Sequence, residues 1–222
     1  MTTERIGGPS WISLRALTVC QPFAHLIALP DSDDRMKRVE NRTWHTPHRG
    51  ELLIHAGRSR KWLDLGTVPD PKCDTCRGTG FVDVETGRSI VPGVGWGGMN
   101  MAGECGCEVE ADETYGIPID AMAFGAVVAT CRLIDCFPLV GPNGEWGWAR
   151  GEIPTAVRMR HPWIAGHVHV EGPWCWVLSD VVRLREPIPW KGAQGLWNVP
   201  RELADRVREL TGDPAVAKGG TS

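Results

Sequence analysis

The chain has 222 residues and a net charge of −3, with 42% hydrophobic and 23% charged residues, an ordinary globular composition long enough to bury a core without disulfides. No apolar run approaches the ~20 residues of a membrane span, which excludes an integral helical membrane protein, and residues Met1 to Trp11 lack the apolar stretch of a secretory signal, so a cytoplasmic location is expected. The near-neutral charge argues against coating nucleic acid by charge alone, but seven bases and two acids between Met36 and Trp62, against six acids and no base between Glu104 and Asp120, allow a focal basic face.

In chain order, Leu14–Val19 reads as a strand. Gln21-Pro22 then opens a helix with Pro22 at its first position, Phe23, Leu26 and Ile27 on its apolar face, and Pro30-Asp31 at its end. Lys37–Trp44 has strand character, His45–Gly50 is a turn, and Leu52–Ala56 is a buried strand. From about Asp70 to Ile119 the composition changes to clustered cysteines, a glycine run from Gly93 to Gly103 and the acids, which reads as an insertion. Phe124–Ile134 resumes the main fold as a long apolar strand, Phe137–His161 is a Gly- and Trp-rich connection, and Trp174–Leu184 and Leu196–Val199 are the last strands. A C-terminal helix follows Pro200, with Leu203, Val207 and Leu210 on one stripe and Gly212 as its stop; residues 213–222 are expected to be disordered. Many short strands with turn signals, 27 glycines and 17 prolines, and few helices predict an α+β fold: a small β-barrel with helices at its ends.

Four of the eight cysteines form one pattern, Cys73-x-x-Cys76 and Cys105-x-Cys107. A two-residue gap lets two thiolates reach one metal from a tight turn, and two such turns complete a four-sulfur tetrahedron. Gly78 and Gly80 allow the first turn to close. A structural zinc is the expectation; a catalytic zinc is not, because four thiolates leave no position for water. The string Cys-x-x-Cys-x-Gly-x-Gly resembles half of a DnaJ-type zinc motif, from which only the metal chemistry is taken. The shorter Cys-x-Cys pair leaves a metal-free knuckle as the alternative. Cys20, Cys131, Cys136 and Cys175 sit in apolar surroundings.

If Lys37–Trp44 is extended, alternation places Arg38, Glu40, Arg42 and Trp44 on one face, with Lys37, Val39 and Asn41 opposite unless a bulge intervenes. The first face combines a carboxylate, a guanidinium and an indole. An indole stacks on a base, a guanidinium binds phosphate bidentately, and a carboxylate accepts from an exocyclic amine. Read blandly, Arg38 and Glu40 are a solvated pair and Trp44 plugs the core.

Gln21-Pro22-Phe23-Ala24, Lys37–Trp44, Thr46–Ala56, Gly125–Cys136 and the run Trp174–Val199 with Pro189-Trp190-Lys191-Gly192 resemble, in order and spacing, the ASCH domain (activating signal cointegrator homology). The likeness covers most of 14–65 and 120–200, so residues 12–69 and 120–200 are expected to form the barrel domain, 70–119 the zinc-binding insertion, and 200–212 the terminal helix. The resemblance implies a PUA-like barrel that binds RNA or single-stranded nucleic acid, or a modified base, in a cleft formed by Gln21, Pro22, Lys37, Glu40, Arg42 and Trp44. Arg49, His55, Lys191 and Trp197, from the same motifs, complete the expected contact set. One branch of the family hydrolyses acylated cytidine with a Lys, a Thr three residues later and a distant Glu. Lys37 matches the Lys, but Glu40 stands where the Thr is expected, so a hydrolase would have to use Lys37 and Glu40 as an acid–base pair. His55 also admits a ribonuclease reading. His45 and His48 read as turn residues, and His167 and His169 as an exposed edge. An adaptor that docks a protein partner through the acidic insertion is the third reading. The chain carries neither a P-loop nor a Gly-x-Ser-x-Gly elbow.

Overall fold

A computed structural model describes residues 14–83, 86, 88–89, 91 and 102–211. The expectations for Met1–Trp11, for Gly93–Gly98, for the stop at Gly212 and for the tail 213–222 lie outside them. The chain divides into two compact units, the first running to Arg58 and resuming at Phe124, the second spanning Ser59–Ala123. None of the described helices is long and apolar enough to cross a membrane.

The first unit is built on one six-stranded sheet. Its strands are β1 (Arg15–Val19), β2 (Val39–Arg42), β3 (Gly50–Ala56), β9 (Ala126–Pro138), β10 (Trp174–Pro189) and β11 (Leu196–Asn198). They lie in the order β11-β1-β3-β9-β10-β2, with β1 and β3 parallel and every other pair antiparallel. The sheet curls into a half-barrel; β2 and β11 remain unpaired edges among the described residues, so the closed barrel expected from sequence is an open one. Register shifts interrupt the long antiparallel ladder of β9 and β10, and left-handed Asp180 (φ 49°) sits at one of them.

The helices are few. α1 (Phe23–Ile27) is one short turn that buries Ala24, Leu26 and Ile27. α2 (Thr155–Arg160) and the 3₁₀ turn Pro162–Gly166 follow β9. Val157 and Ile164 pack with Val39, Phe137, Leu139, Cys175 and Val177 in one core cluster. α3 (Arg201–Thr211) lays Leu203, Ala204 and Val207 on Leu14, Ala16, Leu53, Val127, Leu184 and Ile188. That is the apolar stripe read from the sequence, and its burial is what holds the helix.

The second unit has a three-stranded sheet, β4 (Leu65–Pro69), β7 (Glu108–Asp112) and β8 (Ile117–Pro118), and a two-stranded ribbon, β5 (Phe81–Asp83) with β6 (Ala102–Glu104). β4 pairs along its whole length with β7, so this unit starts at Ser59 rather than Asp70. In the first unit the chain's departure and return are adjacent: the Gly125 N–H donates to the Ala56 carbonyl at 2.8 Å.

Candidate functional site

β2 begins at Val39, so Lys37 and Arg38 belong to the connection from α1 and do not obey strand alternation. This exchanges the expected faces of Lys37 and Arg38, while Glu40 and Arg42 stay together as expected. Arg38 turns back to α1, where its guanidinium donates to the carbonyls of Ile27 (2.9 Å) and Leu29 (2.6 Å) and pairs with Asp31. It satisfies the orphan acceptors at the helix end and is a structural cap. Lys37, expected opposite, instead joins Glu40: its Nζ lies 3.4 Å from Glu40 Oε2 and 5.4 Å from the centre of the Phe23 ring.

Glu40 also pairs with Arg42 at 3.0 Å, and Arg42 donates to the Thr18 carbonyl at 2.8 Å. Lys37 and Glu40 are buried, while Arg42 reaches toward solvent. The Arg42 Nε is buried and has no partner among the described residues. Across the strand pair, Glu40 faces Trp176 and Arg42 faces Trp174. Trp176 is fully buried, and Trp44 packs edge-on against it with ring centres 4.7 Å apart. Gln21 is fully buried; its Oε1 accepts from the His25 N–H at 3.0 Å, and Pro22 is buried beside it, so both serve the start of α1.

A cavity of about 550 Å³ opens beside this group, lined by Thr18, Arg42, His55, Arg58, Lys191 and Gly192 among others. It brings three of the expected residues together (Arg42, His55 and Lys191) and adds Thr18 and Arg58. No carboxylate stands among its lining residues. Trp44 is not on this wall. Trp197 lies close by: its indole N–H donates to Thr18 Oγ1 at 3.3 Å, and its ring meets the His55 ring edge-on at 6.1 Å. Arg49 belongs elsewhere; it donates to the Thr46 and His48 carbonyls and pairs with Asp135, which also holds Arg160 and His161. Arg160, Cys136's N–H and His161 together hold the Asp135 carboxyl below its usual range against the opposing effect of burial.

Thr18 was the missed residue. Its only local signal is a hydroxyl inside the run Leu14–Val19, which also holds Arg15; that it faces His55 is set by the β1–β3 ladder. His167 and His169 are not an exposed edge. His169 is buried, and His167 Nε2 accepts from the Arg38 backbone N–H at 2.8 Å. Burial, with His169, Lys37 and Arg38 nearby, holds His167 down to about 4.

In the second unit the four cysteines converge. All four sulfurs lie within 4.8 Å of one another, with Cys73–Cys105 at 3.7 Å and Cys76–Cys107 at 3.2 Å. No disulfide joins them. A tetrahedral zinc with ~2.3 Å bonds needs sulfurs about 3.8 Å apart, so the cluster fits a metal. Backbone N–H groups of Cys76 and Thr75 hold the Cys73 thiol down to about 6, whereas the neighbouring Cys76 sulfur and then burial push Cys107 up to about 12. Left-handed Arg77 (φ 53°) and Gly78 (φ 83°) close the turn after Cys76.

Compared with known proteins, the chain matches no family model and none of the curated proteins.

Proposed function

We propose that the first unit is a PUA-like, ASCH-type module that binds single-stranded RNA or DNA, and that the second is a knuckle organised by a structural zinc. The observation that carries the first reading is the cavity's wall: Arg42, Arg58 and Lys191 line it with no carboxylate among the lining residues, the Glu40 carboxylate that pairs with Arg42 standing outside them. Three cations around a space of about 550 Å³ favour an anionic ligand with a flat body, such as a nucleotide. The ordered motifs from Gln21 to Trp197 and the half-barrel sheet support the family assignment.

Within this reading Arg42 contacts the ligand directly, and Glu40 and Lys37 fix the guanidinium from behind. Lys191 stands on the wall, and Trp197 backs Thr18 and His55. Trp44 packs against Trp176 and does not line the cavity, so it is assigned no stacking contact with the ligand. The test is fluorescence anisotropy with labelled single strands across a salt series. Arg42→Ala is expected to weaken binding by about 1–3 kcal/mol, and Lys191→Ala to lower the salt dependence by about one phosphate contact. Absence of affinity for any RNA or DNA at low salt would sink the reading.

The zinc reading is supported by the four-sulfur geometry. Bound, the metal would tie the turn after Cys73 to the Cys105–Cys107 loop and would supply folding energy, not chemistry. The hydrolase reading on Lys37 and Glu40 draws less support, since both side chains are buried and neutralise each other.

A further inference from the structure

Thr18 of β1 and His55 of β3 are register partners in the parallel ladder, and Thr18 Oγ1 lies 3.3 Å from His55 Nδ1. The other imidazole nitrogen, Nε2, lies 3.0 Å from the Trp190 carbonyl oxygen. A carbonyl only accepts, so Nε2 carries the proton and Nδ1 is left bare toward the hydroxyl. Burial, with a smaller push from Arg58, lowers the imidazole from its ordinary value and keeps that neutral form at physiological pH. The Thr18 hydroxyl donates to the Ala193 carbonyl at 2.8 Å and accepts from the Trp197 indole at 3.3 Å. One hydroxyl proton therefore has two acceptors within reach, a resting carbonyl and a base. Gly192 roofs the pair: a Cβ there would collide with the His55 ring and with Thr18 Oγ1. Both side chains line the cavity that holds Arg42, Arg58 and Lys191.

We propose that Thr18 and His55 are a nucleophile–base pair that transfers the acyl group of an anionic ester or amide to water in this cavity. The pattern meets the geometric requirement for an activated hydroxyl: nucleophile beside base, base oriented by a third group. Thr18 Oγ1 attacks the carbonyl carbon, forming a C–O bond, and its proton passes to His55 Nδ1. The carbonyl electron pair moves onto oxygen, where the cationic wall stabilises it. Collapse breaks the bond to the leaving oxygen or nitrogen, which takes the proton from Nδ1. Water then attacks the acyl-Thr18 ester, its proton passing to Nδ1 and on to the departing Oγ1. The products are a carboxylic acid and an alcohol or amine, and water is the only co-reactant. The inference shares its cavity with the binding reading but goes beyond it, since the anion need not be part of a nucleic acid.

The test uses the full chain with 4-nitrophenyl hemisuccinate, an activated anionic ester. The expected result is nitrophenolate release with an initial burst, and a succinyl adduct on the peptide carrying Thr18 by mass spectrometry. Thr18→Val and His55→Gln are expected to lower the rate by about a hundredfold or more, while Thr18→Ser retains it. The wild-type rate should rise with one ionisation below pH 6.5 and flatten in His55→Gln. Strand binding by the wild-type chain is read by anisotropy beside its turnover, so failure of hydrolysis and failure of the binding reading report separately. A wild-type rate equal to that of Thr18→Val, or an adduct on another residue, overturns the proposal. The adduct measurement needs no variant and decides the matter even where a substitution unfolds the chain.

Discussion

Glu40 holds two cations at once, Lys37 at 3.4 Å and Arg42 at 3.0 Å, in surroundings that leave Lys37 only 3% exposed. Removing it leaves a buried ammonium without a counter-charge. Glu40→Ala is therefore expected to destabilise the first unit by about 3–5 kcal/mol, read as a lower urea midpoint. Trp176, fully buried across from Glu40, should cost a similar amount on truncation: Trp176→Ala, about 3–5 kcal/mol by the same measurement. His167 supplies a pH dependence. Its folded value of about 4 lies below the ordinary 6.5, so between those values the unfolded chain holds a proton that the folded one lacks. Stability is full above pH 6.5 and falls as the pH drops toward 4. In His167→Gln, whose amide oxygen can still accept from the Arg38 N–H, the slope of the urea midpoint over that window should shrink. An unchanged slope would assign the effect to His55 and His169, which burial also lowers.

At the scale of elements, local pattern located the strands of the first unit and the C-terminal stripe, because apolar runs and turn residues are local signals, but none of β4–β8. It erred where tertiary pairing decides. The face of Lys37 depended on where β2 begins, and that is set by Arg38 turning back to cap α1. The meeting of Thr18 and His55 depended on β1 pairing in parallel with β3, a contact between residues far apart in the chain. The cysteine cluster was legible because Cys-x-x-Cys is itself a geometric statement. Its prediction is direct: about one zinc per chain by elemental analysis, lost in Cys76→Ser, with chelation unfolding the second unit while the β-sheet signal of the first persists. Loss of both signals together would show that the first unit depends on the metal.

Across the whole molecule, the second unit begins before the composition change read at Asp70, which leaves out β4 because that strand carries no cysteine and no charge of its own. The strand declares its allegiance only by pairing with β7. A deletion meant to remove the second unit should therefore span 59–123; one confined to 70–119 would strand β4 without its partner and is expected to aggregate on expression. Comparing the two deletions by size-exclusion chromatography checks this directly.

The hydrogen bond from Gly125 to Ala56 makes the boundary at Arg58 and Phe124 a port with its two posts already clasped. Whatever polypeptide occupies that gap adds little closure entropy to the host, since the host itself holds the gap shut. The half-barrel is thus a frame into which a foreign loop, a tag or another small unit can be spliced at one address, with the strand ladder on either side left intact.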